Sequence, residues 1–313
     1  MEQGVLAVVI EEPHRVGLRR VHLKEIAEDE LLVETLWSGI STGTERLLWS
    51  GRMPPFPGLG YPLVPGYETV GVVRDAGQAV RHRLGETVFA PGSTGFADVR
   101  GLFGGAARRL VVASARAVTL DPAWGEQAAL LALAATAQHA LAGGPPPDLI
   151  VGHGVLGRLL ARLVIAQGGP PPTVWEIRPE RRDGAVGYAT IDPAHDPRRD
   201  YKVVCEASGS AEALDGLIGV LARGGEVILA GFYEAPIRFA FPPAFMREVR
   251  LRIAAEWTPP DLTAVLTLLE RGQLDLSGLV THRRPAGEAE EAYAQAFSDP
   301  ACLKMLLDWR DFD

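Results

Sequence analysis

A glycine-rich string in the middle of the chain has the clearest chemistry. Residues 152–157 read GHGVLG, the spacing of a loop that wraps a diphosphate. The first glycine of such a loop allows a tight turn, the second lets the backbone approach the anion, and the third lets helix and strand pack closely. The helix that follows offers unpaired N–H groups and the positive end of its dipole. The string therefore predicts a dinucleotide site, with an ordinary glycine-rich turn as the alternative, at Gly152, Gly154, Val155, Leu156 and Gly157.

An acidic residue follows this loop at the distance that a dinucleotide site requires. Glu176 lies 19 positions beyond the last glycine (176 − 157), where a carboxylate binds the ribose 2′-hydroxyl. Because a carboxylate repels a 2′-phosphate, Glu176 favours NAD over NADP. Arg178, with Arg181 and Arg182 close behind, leaves NADP open, since an arginine there can accommodate the phosphate. We predict NAD, held in part by Glu176 and Arg178.

The cysteine count and the charge balance exclude several classes of protein. The chain has 313 residues, with 31 basic and 39 acidic side chains and a formal charge of −8. Nucleic acid is not an expected partner, because its phosphates must be neutralised by basic side chains. Cys205 and Cys302 are too few for a disulfide framework, a four-cysteine zinc lobe or an iron–sulfur cluster.

Length and hydropathy predict a cytoplasmic protein of two domains. With 47% apolar residues and roughly 150 residues per domain, the chain is long enough for two cores. The apolar run Val5–Ile10 is too short for a signal peptide. The stretch Ala128–Ala142 is interrupted by Gln138 and His139 and is too short for a membrane span. We expect no transmembrane segment and leave peripheral membrane association open.

The predicted secondary structure changes near Pro122 from mainly strands to alternating strands and helices. Residues 1–120 are β-rich, with two long loops, Gly51–Gly66 and Pro91–Gly105, whose aromatic residues indicate that they are packed and line a site. A helix is predicted over Gly125–Ala142, and strands then alternate with helices, as in a parallel sheet. The stretch 179–200 is too short for a full crossover, so one helix is expected to be missing. The final segment is too small to stand alone and is expected to pack on the first domain.

Several strings together resemble a known superfamily. Residues Pro65–Gly71, Gly85–Val88, Gly152–Gly157 and Leu221–Val227 are similar to strings of the zinc-type alcohol dehydrogenases, in the medium-chain dehydrogenase/reductase superfamily. The resemblance implies an α/β protein with a GroES-like, β-rich catalytic domain and a Rossmann domain with a doubly wound parallel sheet. The first would comprise residues 1–122 and 272–313, and the second residues 123–271.

Longer strings resemble one branch of that superfamily, the bacteriochlorophyllide dehydrogenases. They are Trp37–Trp49, Arg100–Gly105 and Ala230–Pro236. The resemblance covers essentially the whole chain. It implies oxidation of the 3-(1-hydroxyethyl) side chain of a bacteriochlorophyllide to 3-acetyl, with NAD as hydride acceptor. It also suggests self-association into a homo-oligomer and a location that is cytoplasmic or peripheral to the photosynthetic membrane.

The ligands of the superfamily's catalytic zinc are replaced in this chain. The resemblance places Ser38 and Ser41 at the cysteine position, Tyr67 at the histidine and approximately Ala132 at the third ligand. Neutral hydroxyls are poor substitutes for thiolate and imidazole, and alanine offers no lone pair. We therefore predict no zinc.

Without a metal, polar side chains must position the substrate hydroxyl and lead its proton away. We predict that Tyr67, Ser38, Ser41 and Thr42 do so, with Glu68 as the nearest terminal base. The alternatives are that Tyr67 fills the vacated metal site, that Ser41 and Thr42 form a turn, and that Glu68 braces neighbouring loops, the last being favoured over catalysis. His139 and His153 are interpreted as packing or loop residues rather than bases.

A broad, flat substrate with one propionate needs an apolar and aromatic lining with a few polar anchors. Gly231 and Tyr233, after the last Rossmann strand, are assigned to the coenzyme, with plain packing of Tyr233 equally open. The residues assigned to the substrate are Arg52, Phe56, Tyr61, Phe103, Arg108 and Arg109, although for any one of the arginines a solvated surface role is favoured over binding.

Three other functions remain open from the sequence. One is a zinc-free reductase of quinones or enones that uses NADPH, against which Glu176 argues. Another is a non-catalytic dinucleotide-binding protein. The third is a zinc enzyme with unfamiliar ligands.

Overall fold

The computed structural model describes residues 4–55 and 57–311. The chain divides into two compact units, Met1–Ala132 with Leu279–Asp313, and Leu133–Gly278. The domain bounds inferred from the sequence, at 122/123 and 271/272, remain a prediction.

Strands and helices follow one another through the described residues. The strands are β1 (Val5–Glu12), β2 (Arg15–Val21), β3 (Glu30–Ile40), β4 (Leu63–Val64), β5 (Thr69–Ala76), β6 (Thr87–Ala90), β7 (Arg100–Gly101), β8 (Arg109–Ala113), β9 (Val118–Thr119), β10 (Leu149–Val151), β11 (Thr173–Trp175), β12 (Ala189–Ile191), β13 (Tyr201–Glu206), β14 (Leu221–Leu229), β15 (Arg250–Ile253), β16 (His282–Pro285) and β17 (Met305–Asp308). The helices are α1 (Thr44–Ser50), α2 (Leu131–Leu141), α3 (Val155–Ala166), α4 (Leu214–Val220), α5 (Phe241–Arg247), α6 (Pro259–Glu270) and α7 (Ala289–Ser298).

The first unit is built on β3. This strand alternates buried and half-buried residues over most of its length, as expected for a strand with one face in a core. One sheet has the order β16-β17-β3-β5-β6-β9, with β8 also paired to β3, and a second has the order β2-β1-β4-β7. Because β17 pairs antiparallel with β3, Met305 opposite Ile40, the C-terminal segment completes the first unit, as predicted. Its core includes Trp309, Tyr293 and Leu63.

The second unit is a parallel sheet in the order β12-β11-β10-β13-β14-β15. The chain runs outward from β10 in both directions, which is the doubly wound arrangement. Leu149, Val204 and Val227 pack in its core. The predicted fold class is confirmed.

The crossover from β11 to β12 lacks its usual helix, as predicted. Residues 176–188, all of them described, contain one short 3-10 turn, Pro179–Arg181. Backbone carbonyls outside a helix need other donors, and the buried Arg158 of α3 supplies them. Its Nη2 donates to the carbonyls of Arg181 at 3.1 Å and Asp183 at 2.7 Å.

The predicted helix over Gly125–Ala142 is wrong at its start. The α-helix begins at Leu131, after a 3-10 segment, Pro122–Leu130. Gly125 has φ +53°, in the left-handed region that interrupts a regular helix. The apolar composition of the segment gives no sign of this break.

Candidate active site

The glycine-rich loop of the second unit leaves room for a ligand. Gly152 has φ +95°, and a Cβ on Gly157 would lie 1.8 Å from the carbonyl oxygen of Gly152. A Cβ on Gly154, in contrast, would meet no atom within 4 Å. α3 begins directly after Gly154 without a side-chain cap, so the first-turn N–H groups, those of Val155 and Leu156 among them, are available to an anion. These residues fit the diphosphate of a dinucleotide.

Glu176 is braced against this loop. It is buried just beyond β11, and its Oε2 accepts a hydrogen bond from the backbone N–H of His153 at 2.9 Å. Its Oε1 accepts from the N–H of Arg178, also at 2.9 Å. The Arg178 side chain is exposed, whereas Arg182 pairs with Asp192 at 2.5 Å. The structure thus places a fixed carboxylate and an exposed arginine beside the glycine loop.

His153 joins the glycine-rich loop to the shortened crossover between β11 and β12. Its ring is buried, with Nδ1 2.6 Å from the carbonyl oxygen of Arg181 and Nε2 2.7 Å from the hydroxyl of Tyr188. A carbonyl only accepts, so Nδ1 carries the proton and Nε2 accepts from Tyr188. Burial lowers the pKa of His153 to about 4. His139 pairs with Asp261 at 2.9 Å. Both contacts agree with the packing interpretation of these histidines.

Sequence reasoning missed Glu206 at the end of β13. Val151 of β10 lies opposite it, so Glu206 stands where the winding of the sheet reverses, the usual coenzyme crevice of such sheets. Its buried carboxylate accepts bonds from the N–H groups of Ser208 at 2.7 Å and Gly209 at 3.2 Å, and from the hydroxyl of Tyr233. Burial raises the pKa of Tyr233, and the Glu206 carboxylate adds to this.

Gly231 lies close to the turn that follows Glu206. A Cβ on Gly231 would come within 2.8 Å of the Cα and N of Gly209. The turn therefore packs directly on the backbone that follows β14, and the hydroxyl of Tyr233 ties the same backbone to Glu206. Both of these coenzyme candidates are thus fixed in position at the carboxyl edge of the sheet.

In the first unit, the structure joins two of the predicted catalytic hydroxyls. The hydroxyl of Tyr67 donates to Oγ of Ser41 at 2.8 Å, and the Tyr67 ring packs edge-on against Phe103, with ring centroids 5.5 Å apart. Burial raises the pKa of Tyr67, so this phenol stays protonated. Thr42 is half-buried beside Ser41. Ser38 is bound separately, its Oγ accepting from Nε1 of Trp309 at 2.9 Å.

Glu68 forms a buried ion pair that the sequence did not indicate. Nζ of Lys304 lies 2.8 and 2.6 Å from the two carboxylate oxygens, and the two side chains are 1% and 0% exposed. Nζ also donates to the carbonyl of Ile40 at 3.2 Å. A Cβ on Gly39 would lie 2.0 Å from Oε2 of Glu68, so the pair needs a glycine there. This geometry supports the bracing role of Glu68.

A second buried carboxylate, Glu45, adjoins the hydroxyl pair. Its Oε1 accepts from the backbone N–H of Ser41 at 3.0 Å, and its Oε2 accepts from the hydroxyl of Tyr293. Burial raises the pKa of Glu45 to about 7. Because Tyr293 is 248 residues away in the chain, local sequence patterns carry no signal for this contact.

The raised pKa of Glu45 predicts a pH-dependent stability. The folded protein binds this proton more tightly than the unfolded chain, so the contribution of Glu45 to stability is fully present below about pH 4.5 and is lost as the pH rises through about 7. In Glu45→Gln, the midpoint of urea denaturation should vary less with pH between about 4.5 and 7. Glu34→Gln is the matched control, because despite its burial three arginines hold the pKa of Glu34 below its usual value. An unchanged slope in Glu45→Gln would contradict the assignment.

Two predicted substrate anchors already have a carboxylate partner. Arg108 and Arg109 approach Oε2 of Glu34 at 3.7 and 3.4 Å, and Arg74 approaches Oε1 at 2.9 Å. Arg52 is exposed, and its Nε donates to Oγ of Ser50 at 3.1 Å.

The predicted aromatic residues of the substrate site fall in different settings. The hydroxyl of the half-buried Tyr61 donates to the carbonyl of Leu48. Phe103 lies against Tyr67, next to the hydroxyl pair. Phe56 lies outside the described residues. Assignment of these residues to the substrate remains a prediction.

The donor set does not fit a catalytic zinc. Within residues 4–55 and 57–311, no three His, Cys, Asp or Glu side chains come together as a metal site. Ser38 and Tyr67 offer neutral hydroxyls that already take part in hydrogen bonds, and the buried Ala132 has no side-chain atom that could bind a metal.

In the same described ranges, no helix has the length and apolarity to span a bilayer.

Comparison with known proteins agrees with this architecture. The alcohol dehydrogenase GroES-like domain family matches residues 27–122. Two 2-desacetyl-2-hydroxyethyl bacteriochlorophyllide A dehydrogenases are each 58% identical, covering 97% of this chain and 98% of their own length; they come from Rhodobacter capsulatus (over 307 residues) and Cereibacter sphaeroides (over 311).

Solved structures share the fold at low sequence identity. A short chain alcohol dehydrogenase of Escherichia coli, crystallised with NADH, has a TM-score of 0.84 at 19% identity, covering 98% of this chain and 99% of its own. The L-idonate 5-dehydrogenase of the same organism has a TM-score of 0.84 at 20% identity, with the same coverage. These likenesses establish the fold.

Proposed function

Because this chain belongs to the family of the 2-desacetyl-2-hydroxyethyl bacteriochlorophyllide A dehydrogenases, we propose that it oxidises the hydroxyethyl side chain of a bacteriochlorophyllide to an acetyl group. The observation that carries this function is the 58% identity over 97% of the chain. The reaction removes a hydride from the carbinol carbon and a proton from its hydroxyl, and a bound nicotinamide coenzyme supplies the hydride acceptor.

The second unit binds the coenzyme in this proposal. The open space at Gly154 and the uncapped N-terminus of α3 support a diphosphate site. We assign Glu176 to the adenosine ribose. Glu206 holds Tyr233 and the turn at Gly209 at the carboxyl edge of the sheet, next to β10, so its role is to position this edge of the coenzyme site.

The first unit binds the carbinol. The hydroxyl of Tyr67 donates to Ser41 and also has a side-chain hydrogen bond with Thr44, so one lone pair remains to accept a hydrogen bond from the substrate hydroxyl. Because burial raises the pKa of Tyr67, the phenol is a poor store for a negative charge. It accepts the carbinol proton only as it passes its own proton to Oγ of Ser41, which must release its own hydroxyl proton towards solvent in the same step. Tyr67 and Ser41 therefore orient the hydroxyl and relay its proton, with Thr42 at the edge of the pair.

We propose NAD rather than NADP as the coenzyme. The carboxylate of Glu176 is fixed by two backbone N–H groups and would repel a 2′-phosphate. Glu176→Gln keeps an acceptor for the N–H of His153 while removing the charge, so the ratio of kcat/KM for NAD over NADP should fall about tenfold. Glu180→Gln, at an exposed position nearby, is the control. NADP used better than NAD by the unaltered protein would contradict the assignment.

We also propose that the reaction proceeds without zinc, as the neutral donor set at Ser38 and Tyr67 suggests. Elemental analysis of the purified protein tests this directly. Stoichiometric zinc that is required for turnover would overturn it.

The function itself is tested by mixing the protein, NAD and 3-hydroxyethyl bacteriochlorophyllide. A ketone conjugated with the macrocycle should shift its absorption to the red, and NADH should appear in step. Tight NAD binding without turnover would instead favour a non-catalytic protein, and turnover of quinones with NADPH would favour a reductase.

A further inference from the structure

Arg100 lies on a short strand beside the segment that leads to Tyr67. The strand β7 pairs in parallel with β4, with Arg100 opposite Leu63. Leu63 and Tyr67 are four residues apart, at most about 14 Å of extended chain. Arg100 therefore lies within reach of a ligand that is held at Tyr67 and is as wide as a tetrapyrrole ring.

The guanidinium of Arg100 is largely free to bind a ligand. Its side chain is exposed, and in the described part of the chain its one hydrogen bond runs from Nη1 to the carbonyl of Tyr61, at 3.3 Å. A guanidinium has five N–H donors in a fixed fork, so a pair of donors remains for a carboxylate. Arg108 and Arg109 differ in this respect, because Glu34 already provides them with a carboxylate.

The neighbouring loop is shaped around this guanidinium. A Cβ on Gly60 would lie 2.9 Å from Cζ of Arg100 and 3.0 Å from Nη1. A side chain at position 60 would therefore push the guanidinium out of its place. The absence of a side chain there leaves room for the guanidinium beside the Tyr61 carbonyl.

The same short segment carries an aromatic residue at its other end. Phe103, three positions after Arg100, packs edge-on against Tyr67, whose hydroxyl bonds to Ser41. The first unit therefore carries a cation (Arg100), an aromatic ring (Phe103) and a hydroxyl pair (Tyr67 and Ser41). A bacteriochlorophyllide has a group complementary to each of them: a carboxylate, a flat apolar ring and a carbinol.

We propose that Arg100 binds the propionate carboxylate of the tetrapyrrole and sets a preference for the free acid over an esterified pigment. This inference rests on the proposed function and adds a specificity-determining residue to it. The ester lacks the negative charge and the two equivalent oxygens of the carboxylate, so it cannot form the bidentate ion pair with the guanidinium.

The test compares the free acid of 3-hydroxyethyl bacteriochlorophyllide with its propionate methyl ester. The unaltered protein should prefer the acid about 10- to 100-fold in kcat/KM, the range expected for a hydrogen-bonded charge pair. Arg100→Gln should lower kcat/KM for the acid to its value for the ester, mainly by raising KM. The value of kcat/KM for the ester should not change. Arg100→Lys should retain part of the preference, and added salt should weaken binding of the acid alone.

Arg116→Gln is the matched control, because Arg116 is also exposed, with Nη2 donating to the carbonyl of Pro91 at 3.2 Å; its ratio of acid to ester should equal that of the unaltered protein. Equal use of acid and ester by the unaltered protein would overturn the inference, as would an equal loss for both in Arg100→Gln. Titration of the 3-acetyl acid and ester by absorbance makes the same comparison without turnover. Failure to oxidise either pigment, with a preserved binding preference, would count against the proposed function and leave the role of Arg100 supported.

Discussion

Tyr67→Phe is expected to lower kcat about 100-fold, the lower end of the effect of a positioned proton-transfer group. The change removes one oxygen, which bonds to Ser41 at 2.8 Å, and leaves the ring that packs against Phe103. The affinity for NAD should not change, because the residues that we propose for the coenzyme lie in the second unit. Steady-state kinetics with the free-acid substrate, together with calorimetric titration of NAD, measures both quantities.

Ser41→Ala and Thr42→Ala extend this test. Ser41→Ala removes the acceptor of the Tyr67 proton and should reduce kcat by a similar factor, whereas Thr42→Ala should have the smaller effect of a neighbouring polar group. If Tyr67→Phe and Thr42→Ala both left turnover unchanged, the hydroxyl relay would be wrong. Tyr67 would then simply fill the position of the missing metal ligand.

Lys304→Met is expected to destabilise the protein by about 3–5 kcal/mol, because it leaves the Glu68 charge buried without a partner. The sign of its pH dependence follows from Glu68. Burial raises the pKa of Glu68 and Lys304 lowers it, so removal of Lys304 raises the folded-state value further above that of the unfolded chain. The deficit should therefore be greatest at high pH and shrink as the pH falls. Urea denaturation across pH 5–9 measures it.

The double variant Glu68→Gln/Lys304→Met separates the lost interaction from the cost of a buried, unpaired charge. It should recover part of the stability, and its deficit relative to the unaltered protein should no longer depend on pH, because neither position then carries a buried charge. Arg223→Gln, which removes an exposed pair with Glu248, should have little effect. A single variant as stable as the unaltered protein at pH 9 would show that Glu68 is not held as a carboxylate.

Features that depend on neighbouring residues were predicted well. The strands Thr87–Ala90, Leu149–Val151 and Ala189–Ile191 coincide with short apolar or β-branched runs between turn residues, so the sequence alone indicates where they lie. The shortened crossover was also predicted, since 22 positions from 179 to 200 must hold a strand as well as a connection. The GHGVLG loop lies between strand and helix as its spacing indicated.

Features that depend on distant residues were not predicted. Lys304 and Glu68 are separated by 236 residues, and Trp309 and Ser38 by 271. These contacts exist because the last strand pairs with β3, and no local pattern reports which side chains meet there. For the same reason the sequence offers Glu68 as a candidate base and gives no sign of Lys304. Nor does it indicate that Glu34, on the strand paired with β8, lies beside Arg108 and Arg109.

The most direct measurement of the central claim uses substrate with deuterium on the carbinol carbon. Direct transfer to a coenzyme predicts one deuterium in the NADH produced for each acetyl group formed, detected by mass spectrometry. The same experiment with protein of measured zinc content shows whether transfer proceeds without the metal. Formation of the acetyl pigment with no label in the coenzyme would contradict the account.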